Sequence, residues 1–300
     1  MRCLKQQLNN VEIHYLTKKS FVSIVENNPN IDKVFSFEKD VDEVLSELKK
    51  EKYDWIIDLH HNFRSMRVKR SLGKPWKSFN KLNIEKWLLV NFKINLLPQK
   101  HIVGRYFETV THLGVKNDLN GLDFFIDAKN EVNISSLQKE FHNGFIAFVI
   151  GAKHNTKKLP FEKIISICKK INQPIIFIGG REDFETGKTI ASQTPNIFNA
   201  CGKYNLQQSA SLVKQAEKVI THDTGMMHIA AAFKKNIISV WGNTVPEFGM
   251  FPYMPENEAN SKIVEVKNLS CRPCSKIGFE KCPKGHFKCM NEIDETEFIT

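Results

Sequence analysis

The sequence contains no apolar run near the ~18 residues that a membrane-spanning helix requires; one of its longest, 145–150, is far shorter. The amino terminus, Met1-Arg2-Cys3-Leu4-Lys5-Gln6-Gln7, lacks the apolar core of a secretory signal. No short-period repeat is present, which sets aside solenoid architectures, and no low-complexity tract. Acid is scarce in one region: between Arg64 and Arg105, Glu85 is the single carboxylate among eleven basic residues. These absences leave a soluble, cytosolic globular protein, and 300 residues is about two domains' worth.

Positive charge is abundant. Lysine and arginine total 43 against 33 aspartates and glutamates, a net charge of +10 with histidine neutral. Such an excess favours an anionic partner: nucleic acid, a phosphorylated small molecule or an acidic membrane surface. In the 64–105 stretch, Trp76, Phe79, Trp87 and Phe92 are interleaved with the cations. That mixture suits a lipid interface, where rings sit at headgroup level and cations meet phosphates. A solvated face over a few core aromatics has the same composition, and the sequence does not choose between them.

Short apolar strands alternate with amphipathic helices. The first half predicts strands at 11–16, 33–37 and 53–59, with helices at 21–27 and 41–50. After a looser stretch from 62 to 120, strands recur at 145–150, 174–178, 218–221 and 237–241. Helices at 161–171, 183–192, 206–215 and 225–233 fall among them. Alternation of this kind gives parallel sheets covered on both faces. The expected fold is α/β, with Rossmann-like domains at 1–127 and 144–300, a linker at 128–143 and the two sheets facing a cleft. Ligands of open sheets bind outside the carboxyl ends of the strands.

The most informative run is Val219-Ile220-Thr221-His222-Asp223-Thr224-Gly225-Met226-Met227-His228-Ile229-Ala230-Ala231-Ala232. An apolar strand ends at Asp223, and a helix rich in small residues opens near Gly225. Asp223 or Thr224 is placed to cap that helix, and Gly225 to let the backbone turn tightly and approach a ligand. First-turn amides and the positive end of the helix dipole make a ready phosphate site. His228, about one turn along, adds a donor. A plain capped helix with a satisfied core histidine has the same spacing.

Several motifs, in order along the chain, resemble glycosyltransferase family 9, the ADP-heptose:lipopolysaccharide heptosyltransferases. Asp223-Thr224-Gly225-x-x-His228-x-Ala230-Ala231 is similar to the family signature. Gly151-Ala152-Lys153, then Lys157-Lys158-Leu159-Pro160, is similar to its Gly-x-x…Lys-x-Trp-Pro segment, with Leu159 in the Trp place. Gly179-Gly180-Arg181-Glu182-Asp183 and Cys201-Gly202-Lys203-Tyr204-Asn205-Leu206 resemble the next two segments. Trp241-Gly242-Asn243-Thr244 is similar to Gly-Pro-Thr, with Asn243 replacing Pro. Ile57-Asp58-Leu59-His60-His61-Asn62-Phe63-Arg64-Ser65 resembles the acceptor-side Asp-Leu-x-x-x-x-Arg-Ser segment.

The resemblance implies a GT-B fold and an inverting transfer of heptose from ADP-heptose to the inner core of lipopolysaccharide, with no cofactor required for catalysis. It places Lys157, Asp183 (or Glu182, for the ribose), Asp223, Thr224, Gly225 and His228 on the donor. Asp58, His61, Arg64 and Arg67 face the acceptor, with Lys69 and Arg70 beside them. That acceptor is a lipid A–Kdo type of molecule at the inner membrane surface, so the expected protein is cytoplasmic, with peripheral membrane contact and no nucleic acid partner.

Inverting transfer needs a base for the attacking hydroxyl's proton. The family assigns it to an Asp in a Gly-Asp turn between the first strand and first helix. Here Arg2-Cys3-Leu4-Lys5 leads straight to the strand at Val11, so that strand, its loop and the base are expected to be missing. Residues 291–300 are likewise expected to stop short of a closing helix, as in a fragment or a late start codon. Asp58 is the fallback candidate for the base. Near the end, Cys271-x-x-Cys274, Cys282 and Cys289 supply the ligand types of a structural zinc site, although not the spacing of a familiar finger. Reduced thiols are the other reading, and a cytosolic setting disfavours disulfides. Two further functional readings stay open: a GT-B transferase with another nucleotide-sugar donor, and a basic nucleic-acid-binding protein with a four-cysteine zinc knuckle.

Overall fold

The computed structural model describes residues 1–299. Its helices are α1 (Arg2–Gln7), α2 (Val22–Val25), α3 (Asp42–Leu48), α4 (Phe63–Leu72), α5 (Asn83–Phe92), α6 (Ile102–Phe107), α7 (Phe161–Lys170), α8 (Phe184–Gln193), α9 (Leu206–Gln215), α10 (Gly225–Ala232) and α11 (Lys288–Asn291). The strands are β1 (His14–Lys18), β2 (Lys33–Phe37), β3 (Ile56–Asp58), β4 (Trp76–Ser78), β5 (Ile146–Val149), β6 (Ile175–Ile178), β7 (Ile197–Asn199), β8 (Lys218–His222), β9 (Asn236–Trp241) and β10 (Ser261–Glu265). Two compact units emerge, one from 1–82 with 100–119, the other from 83–99 with the chain from 120 onward.

The larger unit is built on one parallel sheet in the order β10-β9-β8-β5-β6-β7. Its central strands are continuous apolar runs because helices cover both faces. Phe148 and Phe177 meet edge to face beneath α7, whose Ile164, Ile165, Ile167 and Cys168 point inward. On the opposite face Ala147, Ile176 and Val219 lie against Leu212 of α9 and Ala230 of α10. Each fully buried Ile, Leu or Phe is worth about 1.5–3 kcal/mol relative to exposure. The chain leaves β5 toward β6 and β7, then returns to the other side of β5 with β8, β9 and β10. Strand order therefore reverses between β5 and β8. The carboxyl ends of these two strands, Val149–Gly151 and His222–Asp223, flank the place where such sheets bind ligands.

The smaller unit departs from the expected single sheet. β1 pairs with β2 and β3 with β4, both in parallel, and no described strand bridges the two pairs. Phe35, Phe37, Val44, Leu48 and Val68 make its main core. α4 opens on a reciprocal Asn62–Ser65 capping box and closes at Gly73, whose φ of +60° is the left-handed conformation that glycine adopts without strain.

The expected linker at 128–143 is instead docked on the larger unit. Val132 N–H donates to Ser211 Oγ (2.9 Å), Glu131 accepts from Ser211 and Lys214, and Phe141 is 1% exposed in the core. The segment 83–99 also joins that unit, through Leu89 packed with Val245 and Phe248.

Candidate functional site

The β8–α10 turn lies at the strand-order reversal. Neither Asp223 nor Thr224 caps α10: no side chain bonds the first-turn amides. Thr224 Oγ1 turns 3.4 Å from Thr221 Oγ1, and Asp223 Oδ2 accepts from Lys157 Nζ (2.5 Å) and Thr244 Oγ1 (2.9 Å). The turn thus offers open backbone N–H groups at the positive end of a helix. Gly225 contributes by emptiness rather than by a tight turn, since a Cβ there would meet nothing within 4 Å. His228 is half-buried and makes no hydrogen bond within the described residues. Burial pushes its pKa down, Asp223 opposes this and Lys157 adds to it, so the ring is neutral at pH 7 and carries one N–H donor.

The loop opposite the turn is tied at three successive residues. Lys157 pairs with Asp223, Lys158 Nζ pairs with Asp183 Oδ1 (2.6 Å), and Leu159 N–H donates to His222 Nε2 (2.9 Å). Asp183 is consequently not free to meet a ribose, as the sequence led us to expect. It is 4% exposed, engaged by Lys158 and by Gly180 N–H (2.9 Å), and wedged where a Cβ on Gly151 would stand 2.3 Å from its Oδ2. Glu182 is the exposed carboxylate of that turn.

Sequence reasoning missed Arg272. Its guanidinium donates to the carbonyls of Gly242 (2.5 Å), Val266 (2.8 Å) and Thr244 (2.9 Å) and to Glu265 Oε2 (2.8 Å). It thereby fixes the backbone at Thr244, which bonds Asp223. Only its place inside the cysteine-rich run could have drawn notice. That run is itself a brace: Thr156, just before Lys157, exchanges bonds with the Phe279 backbone (3.1, 3.0 and 2.8 Å). The expected zinc ligands Cys271, Cys274, Cys282 and Cys289 are all free thiols. Among the described residues no group of three or more His, Cys, Asp or Glu stands close enough to hold a metal ion. Burial pushes the thiol of Cys274 up to about 11 and that of Cys289 up to about 12, each with help from the neighbouring cysteines.

In the smaller unit, Asp58 is 5% exposed. It pairs with Lys69 Nζ (2.7 Å) and accepts from His61 N–H (2.7 Å), His60 N–H (3.0 Å) and Ser78 Oγ (3.1 Å). Burial alone would raise its pKa, but Lys69 and the His61 and His60 amides outweigh it and hold the carboxyl far below its usual range. A carboxylate so saturated is a poor proton acceptor, so Asp58 is the anchor of a turn rather than the base. Lys69, 2% exposed, is likewise spent, and its ammonium lies 4.1 Å from the Trp76 ring centroid. His61 holds a left-handed φ of +44° with Nδ1 3.1 Å from the Phe79 carbonyl oxygen. Arg64 and Arg67 do reach a common cleft of about 370 Å³, lined also by Asp40, Asn62 and Phe63. Arg67 pairs there with Asp40 and Asp42. Of the interleaved aromatics, Phe79 is core, packed on Tyr106, whereas Trp76, Trp87 and Phe92 are 46–59% exposed.

A parallel α/β sheet whose strand-order reversal carries an uncapped helix start and two ion-paired lysines defines a doubly wound α/β protein with a place suited to an anionic ligand. Residues 42–281 match the family model for glycosyltransferase family 9 (heptosyltransferase), and the chain belongs to that family. Lipopolysaccharide heptosyltransferase 1 of Campylobacter coli is 24% identical over 274 residues, spanning 81% of this chain and 79% of that protein. The glycosyl transferase family 9 crystal structure from Veillonella parvula shares the fold with a TM-score of 0.76 at 22% identity, covering 99% of this chain and 89% of that one. The ADP-heptose lps heptosyltransferase II of E. coli gives 0.70 at 18% identity, covering 97% and 92%. The fold is GT-B.

Proposed function

We propose that this chain transfers heptose, with inversion, from ADP-heptose to a phosphorylated lipid A–Kdo type of acceptor in lipopolysaccharide core assembly. The observation that carries the reading is the uncapped start of α10 beside Lys157. As the glycosidic bond loosens, negative charge grows on the departing diphosphate. Preorganised N–H donors and an ammonium stabilise that charge more than they stabilise the intact donor, which is what lowers the barrier. Lys157 has three N–H donors and is held at the turn by Asp223, so it serves the carboxylate and a phosphoryl oxygen together. His228 adds a neutral donor, and Glu182 is the carboxylate left to accept ribose hydroxyls.

Arg64 and Arg67 are the cations offered to acceptor phosphate or carboxylate. Contact with the membrane that bears the acceptor is peripheral. α5 and the residues after it present Ile84, Trp87, Phe92, Ile94 and Leu96 outward, and Lys276, exposed on the cysteine-rich run, bonds Asn83 at 3.3 Å. No helix among the described residues is long and apolar enough to cross a bilayer.

The test is release of ADP from ADP-heptose in the presence of the lipid acceptor, alongside calorimetric titration of ADP and UDP. Turnover with ADP preferred is expected, with Lys157→Ala lowering kcat about 10²-fold, the scale of losing one charge-stabilising donor. UDP bound in preference to ADP would point to another donor, and no nucleotide binding at all would overturn the reading.

A further inference from the structure

His222 ends β8, one residue before the phosphate turn, and its side chain takes no part in the chemistry above. The residue is 0% exposed. Its Nε2 accepts the Leu159 N–H at 2.9 Å across 63 residues of sequence. Because Nε2 is the acceptor, the ring proton of the neutral form resides on Nδ1. The Leu159 contact is the last of three by which 157, 158 and 159 each meet a different residue at the sheet's carboxyl end. The two lysine contacts are made at the ends of long side chains, which are 15% and 23% exposed. The Leu159 contact is instead made by the backbone itself, between two buried residues.

We propose that His222 is a positioning residue: by accepting the Leu159 N–H, its Nε2 sets the Lys157–Leu159 backbone at the height where Lys157 serves the donor diphosphate. This rests on the reading of the β8–α10 turn as the donor-phosphate site. Without the imidazole acceptor, the Leu159 amide is buried with no partner, and the loop moves to find one. Lys157 then swings with it, because four methylenes hold the ammonium only as well as the backbone beneath them is held. A shift of about 1 Å at a charge-stabilising group is enough to cost substantial rate.

Charge around the ring keeps the acceptor intact. Burial pushes the His222 pKa down to about 4. Lys158 adds to the lowering, while Asp183 and the backbone of Gly151 and Val149 oppose it. The imidazole is therefore unprotonated throughout the neutral range. Protonation below that value would place an N–H against the Leu159 N–H and break the tie.

The experiment compares wild type, His222→Gln and His222→Leu. Glutamine carries an amide oxygen at about the distance of Nε2, whereas leucine has similar bulk and no acceptor. Leucine is expected to weaken ADP binding about tenfold and lower kcat/KM with it, and glutamine to stay within about threefold of wild type. A role in stability alone would move both variants together in melting temperature with no such split in affinity. Equal ADP affinity for wild type and a folded His222→Leu, or equal impairment in both variants, overturns the proposal. His222→Asn, whose amide is too short to reach Leu159, replaces leucine should that variant not fold. Hydrogen exchange at the Leu159 amide reads the tie with no nucleotide present: protection is expected to be lost in leucine and kept in glutamine, and protection retained in leucine overturns the proposal. Failure of wild type to bind ADP, with that exchange pattern observed, would instead refute the donor-site reading alone.

Discussion

Asp58 and Asp223 each stand at or just beyond the end of a parallel strand, and their partners decide what they do. Asp223, its side chain 13% exposed, shares its carboxylate between Lys157 and Thr244 and borders open helix amides. Asp58 has side-chain exposure of 2% against 1% for Lys69, with two backbone amides filling its remaining lone pairs. Replacing Asp58 with asparagine leaves the Lys69 ammonium buried with no counter-charge, and breaking one side of such a pair costs about 3 kcal/mol or more. Asp58→Asn is expected to lower the denaturant midpoint by that equivalent, and Asp58→Asn with Lys69→Met to recover part of the loss. A single variant within about 0.5 kcal/mol of wild type would show that the pair is not what holds this turn. Arg272 belongs to the same scale. One guanidinium meets three carbonyls and a carboxylate, a pattern that lysine has too few donors and the wrong shape to copy.

At the level of elements, α7 is held at its outer face by a turn far along the chain. Glu295 accepts from Lys170 (2.5 Å) and Ser166 (2.5 Å) and pairs with Lys163 (3.2 Å). Those bonds, Lys170 first, pull its pKa from 4.5 down to about 2. A carboxyl whose folded pKa lies below its unfolded value adds stability that is complete above pH ~4.5 and fades as pH falls toward 2. The melting temperature of wild type should therefore exceed that of Glu295→Gln at pH 6, with the gap closing between pH 4.5 and 2.5. A gap that stays constant over that range would mean that Glu295 does not titrate as the fold requires. The larger unit's central strands were legible because burial on both faces turns them into unbroken apolar runs, as in Phe145–Ile150. β7 and β10 were not, for edge strands such as Ser261–Glu265 carry polar residues and have no periodic signature. α5 hid for a different reason: Ile84, Trp87 and Phe92 point outward, which blurs its apolar stripe. Within the candidate site, the turn at 223–228 was readable from the strand-to-helix pattern, and Lys157 only through the family resemblance. The partnering that binds Asp183 to Lys158 and Leu159 to His222 spans 25 and 63 residues, and local patterns contain no trace of it.

Across the whole molecule, a net charge of +10 is not evenly used. Many cations are spent internally, as Lys69, Lys158 and Arg272 are, and the exposed remainder matters for long-range attraction. In the larger unit that remainder includes Lys276, Lys281, Lys284 and Lys288 on the cysteine-rich run, with Glu280 the one acid between them. The run is tied to the α5 segment: Lys93 Nζ bonds the carbonyl oxygens of Pro273 (2.8 Å) and Cys271 (3.3 Å). Beside these cations stand Ile84 at 73%, Trp87 at 52% and Phe92 at 59% exposure, with the Trp87 and Phe92 rings 5.2 Å apart. Aromatic side chains that insert at headgroup depth supply apolar burial, and lysines near the surface add about 1 kcal/mol each against anionic lipid, a contribution that salt screens. Sedimentation with vesicles containing phosphatidylglycerol should therefore bring the protein down at low salt. Binding should weaken on raising the salt from 50 to 500 mM and be slight with phosphatidylcholine alone. Trp87→Ser with Phe92→Ser is expected to reduce binding about tenfold while leaving ADP affinity unchanged, because neither ring approaches the β8–α10 turn in sequence or joins its hydrogen bonds. Undiminished binding by that double variant would assign the membrane contact to another surface of the protein, and equal binding to neutral vesicles would remove charge from the explanation.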